Sequence, residues 1–410
     1  MRILCLPYTP TLSHVSRLLV VARALRDRGH EVLFAGSGPD TKSHFIEEEG
    51  FATLPFYQID PKDLFGRIRD GKMRFVAEDE LEKMILSDRE IYREVNPDLV
   101  LSDGRFSSMI SAGIEKIAHA AIVNVSSTEY RALPYVPFFE RLPEKLARRL
   151  DPLNLWLEMQ LFDTVANAFK KWSKKHSLAK TVTATNCLTG NDLTLMADIE
   201  DYFPTRHLPF DYHYVGPLTW QKGVPLPDWW PPQTAGKSLI YITMGTTWVG
   251  GSFENLYNLV RDQGLAAIIT TGGQLKDAAA RGLKTVPGEV YLEEFIAGEE
   301  AMKVCDLVVC HGGNGTIYQA LEQGRPIIGI PTIPDQDFNM RRVEALGLGI
   351  KVAPADLEKN PQQLFAAIRR VLDTPSYREK ALAFSKKLQG LNPAEKAADL
   401  IEHQFSRKAP

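Results

Sequence analysis

The sequence predicts an α/β protein made of two doubly wound, Rossmann-like domains. Short β-rich runs alternate with longer helical patterns along the chain, which is typical of parallel sheets with helices on both faces. The chain has 410 residues, more than one hydrophobic core normally supports, so we expect two domains. A stretch without periodicity near the middle of the chain marks the boundary between them.

Residue patterns place strands and helices in both halves. The first half contains predicted helices at 14–28 and 105–119, and predicted strands at 2–6, 31–35, 98–101 and 121–125. The second half contains predicted strands at 238–243, 266–270, 289–292, 306–310, 327–330 and 349–352. The helices predicted there are 253–263, 315–323 and 335–346.

The break between the halves has a linker composition, because residues 216–237 contain five prolines and no periodic pattern. We therefore expect an N-terminal domain at 1–215, a linker at 216–235 and a C-terminal domain at 236–390. A C-terminal helix is expected within 391–410, and the sequence leaves open whether it crosses back to the first domain.

Composition excludes several classes of protein. A net charge of −3 gives no strong field that would attract nucleic acid. Four scattered cysteines, Cys5, Cys187, Cys305 and Cys310, favour a reducing compartment over a disulfide framework. No targeting pattern precedes the first strand and no apolar run approaches 18 residues, so the sequence predicts a cytoplasmic protein without a transmembrane helix.

The sequence HGGNGT at 311–316 follows a predicted strand and opens a predicted helix. A glycine turn at this place exposes backbone N–H groups beside the positive end of a helix dipole, an arrangement that binds a diphosphate. Asp335 and Gln336 follow the next predicted strand. A carboxylate and an amide at this distance from a phosphate site suggest a nucleotide that carries a sugar.

His14 and Asp103 each come directly after a predicted strand, at the edge where parallel sheets bind ligands. A neutral imidazole can accept a hydroxyl proton, and a carboxylate can fix its tautomer. Other interpretations remain open. His14 could be a surface residue beside a helix N-cap at Ser13, and Asp103 could cap the helix that begins near Arg105 or pair with Arg105 itself.

Together, these motifs resemble the UDP-glycosyltransferase superfamily of GT-B fold, and in particular the bacterial macrolide and antibiotic glycosyltransferases. The resemblance is strongest over 285–350 and weaker over the rest of both domains. It implies two Rossmann-like domains that face each other across a cleft. It also implies inverting, metal-independent transfer of a hexose from a nucleotide-diphospho sugar, with UDP-glucose favoured, to a hydroxyl of a small hydrophobic acceptor.

The resemblance also implies roles for individual residues. His14 becomes the general base and Asp103 its partner. The donor diphosphate is assigned to His311, Gly313, Asn314, Gly315, Thr316 and Thr246, and the donor sugar to Asp335 and Gln336. The base and ribose are assigned to Phe295, Ile296 and Gln319, where the family has a Trp-x-Pro-Gln segment and a Glu. With these departures, the sequence leaves open whether the donor is a uridine or a thymidine diphosphate sugar.

The acceptor side is less defined. Aromatic residues of the first half could line an apolar pocket, namely Phe56, Phe106, Tyr130, Tyr135 and Phe138. Residues 141–180 carry nine basic and four acidic residues, a balance of 9 − 4 = +5, with aromatic residues interspersed. This segment is either a solvated face over a core or a peripheral contact with an anionic membrane, which would allow a lipid acceptor.

Three further alternatives remain open at the sequence level. The chain could be a nucleotide-sugar 2-epimerase of the same fold, or a nucleotide-sugar-binding protein without catalysis. The third alternative is a metal site, because Asp335-Gln336-Asp337 matches the DxD metal motif of a different glycosyltransferase fold.

Cys305, Cys310 and His311 are too few for a metal site. No metal and no cofactor beyond the nucleotide sugar is therefore expected.

Overall fold

The computed structural model describes residues 1–37, 41–139, 141–220, 223–244, 253–272, 275–360 and 362–405. Within them the chain divides into two compact units. The first contains Met1–Trp220 and Leu391–Pro410, and the second contains Gln221–Gly390. The break falls inside the proline-rich stretch, and part of that stretch packs on the second unit. There, Trp229 donates a hydrogen bond from Nε1 to Glu293 at 2.6 Å.

The first unit is a parallel sheet with helices packed on it. Its strands are β1 (Arg2–Pro7), β2 (Glu31–Ser37), β3 (Thr53–Pro55), β4 (Leu99–Asp103), β5 (Ala118–Val123), β6 (Leu193–Met196) and β7 (Tyr212–Tyr214). Its helices before the break are α1 (Leu12–Asp27), α2 (Ser43–Glu48), α3 (Pro61–Arg69), α4 (Glu78–Val95), α5 (Ser108–Glu115), α6 (Glu144–Arg149), α7 (Asp151–Val165) and α8 (Ala168–Lys175).

The second unit has the same architecture. Its strands are β8 (Leu239–Thr243), β9 (Ala266–Thr270), β10 (Val290–Glu293), β11 (Leu307–Cys310), β12 (Ile327–Gly329) and β13 (Gly349–Lys351). Its helices are α9 (Phe253–Asp262), α10 (Leu275–Ala280), α11 (Gly298–Val304), α12 (Asn314–Glu322), α13 (Pro334–Leu346), α14 (Pro354–Lys359), α15 (Gln362–Asp373) and α16 (Pro375–Leu388). The last helix of the chain is α17 (Pro393–Phe405).

Strand order places the ligand edge of each sheet. The described strands run β3-β2-β1-β4-β5-β6-β7 in the first unit and β10-β9-β8-β11-β12-β13 in the second, all in parallel pairs. Successive strands are therefore added toward one edge of the sheet up to β3 or β10 and toward the other edge from β4 or β11, so the strand order reverses between β1 and β4 and between β8 and β11. In such sheets ligands bind beyond the carboxyl ends of the strands at the reversal point. Asp103 is the last residue of β4, His14 lies in the first turn of the helix after β1, and the glycine turn follows β11.

Several predicted boundaries were wrong for local reasons. Helix α1 begins at Leu12 with Thr11 at the N-cap position, so Ser13 is not the cap. The helix predicted at 105–119 is shorter, because Lys116 adopts a left-handed conformation that ends α5. The strand predicted at 121–125 consequently begins earlier, at Ala118.

Helix α17 completes the core of the first unit. Its buried residues Ala397, Ala398, Ile401 and Phe405 join the cluster formed by α1 and the central strands. Arg28, which follows α1, holds the polar side of α17 through Glu395 at 2.5 Å, Asp399 at 2.7 Å and Glu402 at 2.7 Å. The C-terminal helix is therefore part of the N-terminal unit.

We expect Ile401→Ala to lower the free energy of unfolding of the first unit by about 2–5 kcal/mol, because the side chain is fully buried and its loss leaves a cavity. Denaturant unfolding of the full chain measures this change. His403→Ala is the matched control, since His403 is exposed on the same helix. Equal stability of the two variants would contradict a core role for α17.

Within the described residues, no helix is long and apolar enough to cross a bilayer. The basic segment divides into two parts. On α8, Phe169 and Trp172 are buried in a hydrophobic cluster, whereas on α7 Trp156 is 59% exposed. The aromatic residues of α8 are thus core residues, and the membrane contact considered for 141–180 stays a prediction.

Candidate active site

His14 and Asp103 meet at the carboxyl edge of the first sheet. His14 lies in the first turn of α1, and Asp103 is the last residue of β4. The distance from His14 Nδ1 to Asp103 Oδ1 is 2.6 Å. The Asp103 side chain is 1% exposed, while that of His14 is 27% exposed. The carboxylate is therefore hidden behind an imidazole that remains open to a ligand.

A third charged residue, Arg17, belongs to this site. Its guanidinium binds both oxygens of Asp103, with Nε 2.7 Å from Oδ2 and Nη2 2.6 Å from Oδ1. Arg17 Nη1 also donates to Asn124 Oδ1 at 2.5 Å. Sequence reasoning missed Arg17, although a signal was present: His14 and Arg17 are three residues apart, which puts them on one face of a helix.

These contacts determine which nitrogen of His14 carries the proton. An arginine stays protonated, and a carboxylate that accepts both of its N–H groups has no proton to donate. Nδ1 of His14 must therefore donate to Asp103, because two acceptors at 2.6 Å would repel each other. In the neutral ring, Nε2 then has a free lone pair. The arrangement can accept a proton at Nε2.

Gly104 makes room for the imidazole. Its φ of +74° lies in the left-handed region, and a Cβ at this position would stand 2.8 Å from His14 Cε1 and Nδ1. Any side chain would therefore be strained in the backbone and would displace the ring. A glycine directly after a strand that ends in Asp103 is a sequence signal for this site that sequence reasoning did not use.

The alternatives for Asp103 were wrong. Arg105 does not pair with Asp103, because its guanidinium binds Asp88 with Nε at 2.9 Å and Nη2 at 2.7 Å, where both side chains are fully buried. The helix after β4 begins only at Ser108. Asp103 is instead engaged by His14 and Arg17.

The glycine turn after β11 has the form that a phosphate site requires. Gly312 has a φ of +85°, and a Cβ there would stand 2.9 Å from Met340 Cγ. A Cβ on Gly313 would stand 2.5 Å from His311 Nε2. By contrast, the position of Gly315 is open among the described residues, because a Cβ built on Gly315 has no neighbouring side chain or loop atom within 4 Å there. Helix α12 begins at Asn314, so its first amides have no intrahelical partner.

His311 in this turn is a neutral residue at ordinary pH. Burial lowers the pKa of His311 to about 4, against the opposing effect of a backbone hydrogen bond at Thr243. The imidazole can therefore contribute an N–H group to a phosphate, but it does not bring a full positive charge. Thr316 lies beside the turn and is partly exposed. Thr246, also predicted to contact the diphosphate, lies outside the described residues.

Asp335 and Gln336 lie in the first turn of α13, and Asn339 connects them to the glycine turn. Asn339 donates from Nδ2 to the Gly312 carbonyl at 3.0 Å and lies 3.5 Å from Asp335 Oδ2. Gln336 is buried, and its Oε1 accepts from the backbone N–H of Thr332 at 2.8 Å. Only the amide N–H groups of Gln336 therefore remain for a sugar.

Asp337, the second aspartate of the DxD sequence, is held by two cations. Lys351 Nζ lies 2.7 Å from Asp337 Oδ1, and Arg341 Nε lies 3.1 Å from Oδ2. No group of three or more His, Cys, Asp or Glu side chains suited to a metal ion is found in the described part of the chain.

The residues predicted to bind the base and ribose lie around the start of α11. Phe295 follows β10 and is 47% exposed, whereas Ile296 is buried. A Cβ on Gly298 would stand 3.9 Å from Gln319 Oε1. The start of α11 therefore lies close to Gln319 on α12. Phe295 thus offers an exposed ring, and the role of Ile296 stays a prediction.

The five aromatic residues predicted for the acceptor pocket do not form one cluster within the described residues. Phe56 lies under the guanidinium of Arg105, Phe106 packs on Phe75, and Tyr130 packs on Tyr212. Tyr135 and Phe138 lie on a loop held by α7, where their backbone N–H groups donate to Glu158 and Asn154. The ring that packs against His14 is Tyr8, at a centroid distance of 6.2 Å.

Comparison with known proteins gives the same class of protein as the fold and the two motifs. Residues 266–403 match the family model for the C-terminal domain of erythromycin biosynthesis protein CIII-like proteins. A PGL/p-HBAD biosynthesis glycosyltransferase of Mycobacterium tuberculosis (strain ATCC 25177 / H37Ra) is 31% identical over 389 residues, which cover 93% of this chain and 87% of that protein.

Solved structures agree in fold. The calicheamicin glycosyltransferase CalG4 superposes with a TM-score of 0.74 at 17% identity, with both chains fully covered. The spinosyn rhamnosyltransferase SpnG complexed with thymidine diphosphate gives a TM-score of 0.69 at 18% identity, covering 98% of this chain and 100% of that chain. The chain belongs to the GT-B glycosyltransferases of this family, as the sequence motifs predicted.

Proposed function

We propose that this glycosyltransferase moves a hexose from a nucleoside diphosphate sugar to a hydroxyl group of a small hydrophobic acceptor, with inversion at the anomeric carbon. The observation that carries this proposal is the contact between His14 Nδ1 and Asp103, which leaves Nε2 as the proton acceptor. Nε2 takes the proton of the acceptor hydroxyl as its oxygen attacks the anomeric carbon. Asp103 stabilises the imidazolium that forms.

The leaving diphosphate requires stabilisation of its negative charge. We assign this role to the N-terminus of α12 and the amides at 314–316, with a neutral N–H group from His311. Asp335 and the amide of Gln336 bind hydroxyls of the donor sugar. Since Asp337 is paired with Lys351 and Arg341, the DxD sequence is not assigned to a metal, and we propose metal-independent transfer.

UDP-glucose is the first donor to test, as the sequence motifs suggested. Thymidine diphosphate sugars are the second, because the SpnG structure of the same fold contains thymidine diphosphate. The ring of Phe295, which replaces the family's tryptophan, can stack on either uracil or thymine. The matches to erythromycin, calicheamicin and spinosyn proteins favour natural-product glycosylation as the setting.

The test uses the purified full chain with UDP-glucose or thymidine diphosphate sugars and a panel of hydroxylated aromatics and lipids. Mass spectrometry should find an acceptor product heavier by one hexose residue, and NMR of the product should show inverted anomeric configuration. Transfer should persist in excess EDTA. An epimerised sugar from donor alone would favour the epimerase, and transfer that stops in EDTA would contradict the metal-independent scheme.

A further inference from the structure

We infer that Arg17 is a positioning residue of the catalytic site. It keeps Asp103 ionised, so that the carboxylate only accepts hydrogen bonds and the His14 proton stays on Nδ1. This inference rests on the proposed role of His14 as the general base. The motifs at 311–316 and 335–336, as well as the His14–Asp103 pair, assign no role to Arg17. Its position follows from the structure alone.

The first argument is geometric. Arg17 binds Asp103 through two parallel N–H···O hydrogen bonds of 2.7 and 2.6 Å, a fork that fixes the plane of the carboxylate. Asn124, which follows β5, fixes the guanidinium in turn through Nη1. His14 is thus oriented by a chain of hydrogen bonds that starts at a neighbouring strand. Such a chain restricts the imidazole to one orientation.

The second argument is electrostatic. Arg17 Nη2 lies 3.1 Å from His14 Nδ1 and carries positive charge. Of the charged groups that contact His14, Asp103 from β4 favours the imidazolium, and Arg17 from α1 opposes it. Tyr8, the residue after β1, packs on the ring, but its hydroxyl donates to the Ile59 carbonyl, and burial raises the pKa of Tyr8. Arg17 and Asp103 therefore act on the His14 ring with charges of opposite sign.

Two substitutions separate these effects. Arg17→Gln removes the charge, so the acidic limb of the kcat/KM profile should move to higher pH by about one unit. Arg17→Lys keeps the charge but loses the two-point fork, so kcat should fall about tenfold while the profile stays in place. Arg23→Gln is the matched control, because Arg23 lies on the same helix and pairs with Glu49. It should change neither quantity.

A measurement on the ring itself keeps the test decisive if Arg17→Gln fails to fold. In protein whose histidines are labelled with ¹⁵N, the ring nitrogen chemical shifts of wild-type His14 should show a protonated Nδ1 and an unprotonated Nε2. In Arg17→Lys the same signals should move toward a mixture of tautomers. The His14→Ala spectrum assigns the signals.

The inference is overturned if folded Arg17→Gln has the pH profile of the wild type. It is equally overturned if the His14 tautomer is unchanged in Arg17→Lys. These results differ from failure of the proposed function, which would appear as sugar transfer by His14→Ala at the wild-type rate. A purely structural role for Arg17 would lower thermal stability in both variants and leave the pH profile and the tautomer unchanged.

Discussion

Replacing His14 by alanine should lower kcat for sugar transfer by about a hundredfold to ten-thousandfold, the range that one general base contributes. The imidazole joins a partly exposed proton acceptor to a buried carboxylate. Without it, the acceptor hydroxyl must attack with its proton still attached. Donor binding, which we assign to the second unit, should remain measurable by calorimetry with an affinity close to that of the wild type.

The control for this variant is His207→Ala, since His207 is an exposed histidine of the same unit. It should leave kcat unchanged. Asp103→Asn provides a second comparison, because an amide can donate to Nδ1 and so favours the tautomer in which Nε2 carries the proton. We expect this variant to lose activity while donor binding persists. Wild-type turnover by His14→Ala would show that another group removes the proton.

The sequence was sufficient for the architecture of the sheets, because their central strands are apolar runs that alternate with amphipathic helices. It was insufficient for β3, β6 and β7, which are three or four residues long. The equally short β12 and β13 were predicted because they lie in aliphatic runs beside glycines, whereas β7 is Tyr-His-Tyr and β3 ends in a proline. Helix ends were also misplaced. The end of α5 depends on the left-handed conformation of Lys116, and lysine rarely adopts this conformation.

The candidate site was predictable where it depends on local order along the chain. Asp103 ends a strand, the glycine turn follows one, and His14 opens the helix after β1, so their place at the ligand edge followed from the fold class. The role of Arg17 depends on its contact with Asp103, and the orientation of Gln336 depends on its hydrogen bond from Thr332. Local order along the chain does not show either contact. The assignment of aromatic residues to an acceptor pocket stays a prediction, because a ring contact such as that between Tyr130 and Tyr212 does not define a pocket.

Substitution of Gly315 by alanine should weaken donor binding without weakening the protein. Among the described residues the space beside Gly315 is open, so a methyl group there meets no side chain or loop from that part of the chain. Alanine is also a better helix former than glycine in α12, so thermal stability should stay the same or rise. A diphosphate bound at the amides of 314–316 would meet the new methyl group. We expect the donor dissociation constant to rise about tenfold or more, a cost of about 1.4 kcal/mol.

Gly313→Ala is the contrasting variant, because its methyl group would strike the His311 ring and disturb the turn itself. It should lose donor affinity and thermal stability together. Comparing donor affinity with thermal stability in the two variants distinguishes a turn that binds the diphosphate from a turn whose glycines serve only its backbone geometry. If Gly315→Ala binds uridine diphosphate and thymidine diphosphate as well as the wild type does in calorimetry, the open space beside α12 does not hold the diphosphate. The assignment of the leaving group to this helix would then be wrong, whatever the role of His14.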